Sequence, residues 1–155
     1  MYEPLGLEEG HKLLEIGLGS GYSVVVAREI VGDDGLVVCI EIDSLCYENG
    51  KIFVDNSGYK DIILMNADGG FGYPDMAPYD RICITAACTE VPPPLFEQLR
   101  IGGKLIAPVI KEGLQKIILF EKGEKGITIT LANEVLYNNI LYTSLAGSYG
   151  TSDKL

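Results

Sequence analysis

Five short stretches of this chain, residues 12–16, 36–41, 62–66, 79–85 and 103–109, are apolar at nearly every position. A strand with one face in water alternates apolar and polar side chains. A strand covered on both faces reads as a continuous apolar run, which is the signature of a parallel sheet. Between these runs lie helix-length segments at 22–31, 44–57 and 93–99. Gly32-Asp33-Asp34-Gly35 stops the first helix, Gly58 stops the second, and Asp43-Ser44 offers N-caps to the second. Strands alternating with helices predict a doubly wound α/β sheet. The end of the chain differs. Lys111-Glu112-Gly113 and Lys122-Gly123-Glu124-Lys125-Gly126 read as tight turns on either side of a strand at 115–121. Ile127-Thr128-Ile129-Thr130-Leu131 alternates strictly, in a run that can extend through Tyr142. An antiparallel hairpin is therefore expected to close one edge of a mostly parallel, seven-stranded sheet.

At 155 residues the chain fits one domain, expected to span 1–155. Its 12 basic and 22 acidic residues give a net charge of −10, which offers no electrostatic reason to bind nucleic acid or an anionic membrane. Apolar runs such as 36–40 are far too short to cross a bilayer. The opening Met-Tyr-Glu-Pro-Leu-Gly has neither a basic start nor an apolar signal core, so a cytoplasmic chain is expected. The four cysteines, 39, 46, 83 and 88, form no CxxC pair and read as reduced thiols. The one histidine, His11, sits in a turn-like Glu-Gly-His-Lys segment, and no metal site is expected.

The first strand runs into Glu15-Ile16-Gly17-Leu18-Gly19-Ser20-Gly21-Tyr22. A dinucleotide fingerprint would place its third glycine at position 22, where Tyr22 stands, so that pattern fails. What remains is a glycine turn that lets the backbone approach a ligand closely. Glu41 ends the second strand, 20 residues after Gly21, where a carboxylate can accept from both ribose hydroxyls. Asp68 follows the third strand in Asn66-Ala67-Asp68-Gly69 and is placed to accept from an adenine amino group. Glu15, Glu41 and Asp68 thus fall at the C-terminal ends of three consecutive strands, where open α/β sheets bind ligands. Such a cluster repels phosphate and suits a ligand carrying adenosine, an ammonium and a sulfonium. S-Adenosyl-L-methionine is that ligand. The expected cofactor-binding set is Glu15, Gly17, Leu18, Gly19, Ser20, Gly21, Glu41, Ile42, Asp68 and Gly69.

The glycine segment, Ser-Gly-Tyr included, resembles the first methyltransferase motif of protein-L-isoaspartate O-methyltransferases. Asp68-Gly69-Gly70-Phe71-Gly72-Tyr73-Pro74 and Ala77-Pro78-Tyr79-Asp80-Arg81-Ile82 resemble that family's stretch after the third strand. Thr85-Ala86-Ala87 with Val91-Pro92 looks like its substrate loop. Gln98-Leu99, Gly102-Gly103-Lys104-Leu105 and Pro108-Val109 match the next helix and strand. The resemblance implies the Rossmann-like methyltransferase fold and a protein-repair activity, methylation of the carboxylate of L-isoaspartyl residues in damaged proteins or peptides. It places Thr85 and Ala86 at the catalytic centre, and Ala87, Cys88, Val91 and Pro92 against the substrate. The small loop residues leave room for a peptide backbone, and loop N–H groups with the Thr85 hydroxyl can orient a carboxylate. An acceptor carboxylate of pKa ~4 is already ionised at neutral pH, so the absence of a His–Asp pair or a triad fits.

The sequence also departs from the family. Leu18 stands where Thr is usual, Ala67 where Gly is common, and Tyr142-Thr143-Ser144-Leu145 where the family has Phe-Val-Pro-Leu. Family members carry helices before the first motif, whereas about a dozen residues precede the first strand here. That difference predicts weakened catalysis and uncovered apolar surface, most simply relieved by a homodimer. Three readings stay open at this point: an isoaspartyl methyltransferase, a small-molecule methyltransferase, and a non-catalytic S-adenosylmethionine-binding fragment.

Overall fold

The computed structural model describes residues 1–135. The expected continuation through Tyr142 and the Tyr142-Thr143-Ser144-Leu145 segment lie outside the described residues. Seven strands form one sheet: β1 (Lys12–Ile16), β2 (Leu36–Glu41), β3 (Ile63–Asn66), β4 (Tyr79–Ile84), β5 (Leu99–Lys111), β6 (Leu114–Gly123) and β7 (Gly126–Val135). Their spatial order is β3-β2-β1-β4-β5-β6-β7. The first five are parallel, and β6 and β7 run antiparallel at the edge, as the pattern of the sequence predicts.

The two-residue period of a strand sends alternate side chains to opposite faces. Leu14, Ile16, Val38, Ile40, Ile82, Ile84, Leu105 and Ala107 share one core with Tyr79, Val91 and Leu95. Leu13, Val37, Cys39, Cys83 and Ile106 share the other. Helices α1 (Tyr2–Leu5), α2 (Tyr22–Val31) and α3 (Ser44–Asn56) cover this second face through Leu5, Val24, Ala27, Val31 and Val54. Helix α4 (Pro93–Gln98) contributes Leu95 to the first face. Burying a Leu or Ile fully contributes roughly 1.5–3 kcal/mol relative to leaving it exposed, and most of the largest fully buried side chains lie on the strands.

Local chemistry sets the boundaries. The Asp43 side chain accepts from the Cys46 amide at 2.8 Å and starts α3, and Gly32, at φ 67°, ends α2. Glu112 and Gly113, both at positive φ, make the two-residue turn between β5 and β6 that matches strand twist. His11 is a turn residue whose Nδ1 accepts from the Glu8 amide at 3.0 Å.

Two expectations need correction. Strand β3 is half-buried rather than covered on both faces, because it is the edge strand and has one neighbour. Strand β5 begins at Leu99, directly after α4, instead of at 103. The Gly102-Gly103 pair looks like a break in the sequence. In the sheet it belongs to an irregularity that carries extra β5 residues between the Tyr79–Leu99 and Arg81–Lys104 pairs. The short helix α1 leaves no mark in the sequence pattern, since four residues are too few to show a helical period. Among the described residues no helix is long and apolar enough to cross a membrane.

Asp80 opens β4, at the end of the sheet away from the glycine turn. It accepts the Lys12 amide at 2.7 Å and pairs with Arg100 at 2.8 Å. Arg81 donates to the Gly6 carbonyl at 2.9 Å and so ties α1 to the sheet. Both residues therefore serve the scaffold, as expected from their position. Replacing Asp80 with Ala orphans the first amide of β1 and is expected to cost about 1–3 kcal/mol in urea denaturation. Ligand binding at the opposite end should be unchanged.

Candidate functional site

The C-terminal ends of the parallel strands converge on the turn between β1 and α2. Its entry is fixed by the Gly17 amide, which donates to the Ile40 carbonyl at 2.8 Å, and its exit by the Gly21 amide, which donates to the Leu18 carbonyl at 2.9 Å. The remaining amides point at the end of β2. Glu41 Oε2 accepts from Leu18 at 2.9 Å and Gly19 at 3.4 Å, while Oε1 accepts from Asp43 at 2.9 Å. The amides at the start of a helix lack intrahelical partners and favour negative charge, and this carboxylate supplies it.

Two of the glycines are required by close approach. A Cβ at Gly17 would lie 2.3 Å from Thr85 Oγ1. A Cβ at Gly21 would lie 2.5 Å from the Gly50 carbonyl of α3. Gly50 is itself constrained, since a Cβ there would meet Leu18 Cδ2 at 2.7 Å and the Gly19 carbonyl at 2.8 Å. Helix α3 therefore presses its backbone against the turn. At Gly19, by contrast, a Cβ would meet nothing within 4 Å.

A cleft of about 420 Å³ opens beside the turn, lined by Tyr2, Glu15, Leu18, Gly19, Ser20 and Thr85 among others. Glu15 lies at its floor with no exposed surface, and accepts hydrogen bonds from the hydroxyls of Tyr2 and Ser23. Burial pushes its carboxyl up to about 7, and the two hydrogen bonds oppose that shift. A larger hollow, about 580 Å³, is lined by six consecutive residues of the β6–β7 turn, 123–128. It is the curl of the turn itself and gathers no groups from other elements.

The chain matches the family described as Protein-L-isoaspartate(D-aspartate) O-methyltransferase over residues 1–144. The chain belongs to this family. It is 39% identical to protein-L-isoaspartate O-methyltransferase 1 of Archaeoglobus fulgidus, over 97% of this chain and 66% of that protein. It is 46% identical to the Methanococcus maripaludis enzyme of the same name, over 70% of this chain and 51% of that protein. A solved protein-L-isoaspartate O-methyltransferase superposes with a TM-score of 0.86 at 34% identity, over 91% of this chain and 45% of that one. A Plasmodium falciparum chain solved in complex with S-adenosyl-L-homocysteine shares the fold, with a TM-score of 0.80 at 18% identity over 89% of this chain and 70% of that one. The chain thus spans about half to two thirds of the length of these curated relatives.

Within this family framework the residues named from sequence fall into three groups. Glu15, Gly17, Leu18, Gly19, Ser20, Gly21 and Glu41 come together at the turn. Ile42 directly follows β2, and Asp68 lies two residues beyond β3. Asp68 Oδ1 accepts the Gly70 amide at 2.9 Å and caps a short 3-10 turn that begins at Gly69. Ala87, Cys88, Val91 and Pro92 are buried, and Cys88 and Val91 belong to the hydrophobic core. Cys88 is stitched to β5, its amide donating to the Pro108 carbonyl at 3.0 Å and its carbonyl accepting from Ile110 at 2.8 Å. Burial pushes its thiol up to about 11. These four side chains pack on the inner side of the loop. Thr85 turns inward as well. Its hydroxyl lies 3.0 Å from the Ile16 carbonyl and 2.9 Å from the Gly17 carbonyl, so its proton is engaged in holding the turn.

Four further residues support the turn and its neighbouring loops without a mark in the sequence pattern: Tyr2, Gly50, Asn66 and Gln98. Asn66 Nδ2 donates to the Glu41 carbonyl at 2.8 Å, and its Oδ1 accepts from Ser44 at 2.8 Å, which locks the end of β2. Gln98, nearly buried, donates to the Phe71 carbonyl and accepts the Tyr73 amide, both at 2.8 Å, and pins the loop after Asp68. A glycine inside a helix is the one signal that could have flagged Gly50.

Replacing Gly50 with Ala would normally stabilise a helix by about 1 kcal/mol. Here the new methyl must displace Leu18 and the Gly19 carbonyl. The expected result is a loss of about 1–3 kcal/mol in denaturant titrations, with weaker ligand binding at the turn. A more stable protein would contradict the contact.

Proposed function

We propose that the chain binds S-adenosyl-L-methionine at the β1–α2 turn and transfers its methyl group to the carboxylate of L-isoaspartyl residues in proteins or peptides of the cytoplasm. The observation that carries this reading is the Glu41 carboxylate, held against the amides of Leu18 and Gly19 at the mouth of an open glycine turn.

The residues fit the cofactor. A carboxylate offers about four acceptor sites. Three of those on Glu41 take backbone amides, which leaves capacity for a ribose hydroxyl. Gly19 leaves open space where a side chain would otherwise stand. The reading assigns the adenine to Asp68, which caps a short turn, and the ammonium end to Glu15, which lines the cleft. When bound, S-adenosyl-L-methionine supplies a methyl group on a positively charged sulfur.

The chain then has to orient and to exclude water. The acceptor carboxylate is ionised without help, so no residue needs to remove a proton. Alignment of the reacting atoms at about 3 Å is the main requirement. Thr85 serves it indirectly by bracing Ile16 and Gly17. Ala86, half-buried next to it, leaves space for a peptide backbone. The core packing of Ala87, Cys88, Val91 and Pro92 keeps that loop in place.

Two measurements test this reading. Labelled S-adenosyl-L-methionine supplied with matched isoaspartyl and aspartyl peptides should yield base-labile methyl ester from the isoaspartyl peptide alone. Equal labelling of the two, or none, would refute the acceptor assignment. Glu41→Ala should weaken S-adenosyl-L-homocysteine binding by about 1–3 kcal/mol in calorimetry, the scale of charge-assisted hydrogen bonds. Asp68→Asn should lose affinity for adenosine itself as well as for the whole cofactor.

A further inference from the structure

Glu15 is an ionisable side chain without exposed surface on the floor of a ligand cleft. Its two oxygens are served by different elements. Ser23, in the first turn of α2, donates to Oε1, and Tyr2, from α1, donates to Oε2. The Tyr2 hydroxyl also lies 3.0 Å from the Ser23 carbonyl, which fixes its position over the carboxylate. The groups that face Glu15 from the flanking strands are the thiols of Cys39 on β2 and Cys83 on β4. Burial raises both thiols, so they stay neutral. Tyr2 itself is raised by burial and by Glu15, so its hydroxyl keeps its proton and acts as a donor. A buried carboxylate with one donor per oxygen is balanced between its charged and neutral forms, and removing a donor tips it toward the neutral one.

We propose that Tyr2 is a positioning residue of the cofactor cleft. Its hydroxyl, reaching from α1 to Glu15, keeps that carboxylate charged and aimed at the ammonium end of the cofactor. This rests on the proposed cofactor reading. It goes further by assigning α1 a share in cofactor affinity exerted through Glu15.

The sign follows from the ionisation. The carboxyl of Glu15 sits at about 7, and the bond from Tyr2 is one of the influences that hold it down. A cationic ligand end prefers the charged form, so affinity should fall as pH drops through that value. Without the Tyr2 hydroxyl the fall should begin at higher pH.

The test measures S-adenosyl-L-homocysteine affinity by calorimetry from pH 5.5 to 8.5 for the parent protein, Tyr2→Phe and Glu15→Gln. In parallel, the Glu15 carboxyl is titrated by ¹³C NMR in the ligand-free parent and in Tyr2→Phe. Tyr2→Phe is expected to raise both midpoints by roughly one pH unit. Its affinity should be roughly tenfold weaker near pH 6.5 and close to the parent at pH 8.5. Glu15→Gln should bind weakly with little pH dependence. Ser23→Ala, which removes the other donor, should move the midpoint in the same direction as Tyr2→Phe. A uniform loss of affinity at every pH with unmoved midpoints would reduce Tyr2 to a packing residue and overturn the proposal. Failure of the parent to bind at any pH would instead overturn the cofactor reading, and the proposal with it.

Discussion

The carboxylate of Glu41 accepts amides from a turn more than 20 residues earlier in the chain, and the site depends on that contact. Parallel pairing of β1 with β2 in register, Ile16 beside Ile40, brings the end of one strand next to the end of the other. The turn leaving β1 has amides that its own helix cannot satisfy, and the side chain closing β2 satisfies two of them. The same interaction thus completes the backbone's hydrogen bonding and sets a negative charge beside the turn.

This coupling explains why so much of the site was legible in the sequence. A glycine-rich segment at the end of an apolar run and an acidic residue at the end of the next are local marks, and parallel topology makes their meeting obligatory. What joins the site from elsewhere left no such mark. Gly50 matters because of where the backbone of α3 crosses Leu18 and Gly19, and sequence spacing carries no crossing geometry. Gln98 bridges Phe71 and Tyr73 from a helix placed by the opposite face of the sheet. Tyr2 belongs to a helix of one turn.

The loop after β4 illustrates a different limit. Thr85, Ala86, Ala87 and Cys88 read as a small-residue loop near a substrate, but small and apolar side chains serve burial equally well. The structure divides the segment. Thr85 turns back to brace Ile16 and Gly17, Ala86 keeps partial exposure, and Ala87 and Cys88 join the interior beside β5. Composition cannot make that division, because it depends on the backbone of Cys88 finding Pro108 and Ile110 as partners. The resulting wall is rigid for a physical reason, since a buried loop must have its amides and carbonyls paired.

Charge gives the site its direction. The chain carries −10 overall, and Glu15, Glu41 and Asp68 stand at adjacent strand ends. Such a field favours a ligand with positive groups and opposes an anionic acceptor. On the proposed reading, the acceptor carboxylate therefore approaches against the protein's own field, and the positive sulfur and ammonium of the cofactor supply the compensating charge. On the same reading two constraints meet in Glu15, which would have to be charged to hold the cationic end and yet has no exposed surface. Hydroxyl donors reconcile these demands, because they stabilise the carboxylate without adding a positive charge that would compete with the ligand. A lysine or arginine in their place would hold Glu15 ionised more firmly, but would neutralise the charge that the cleft offers.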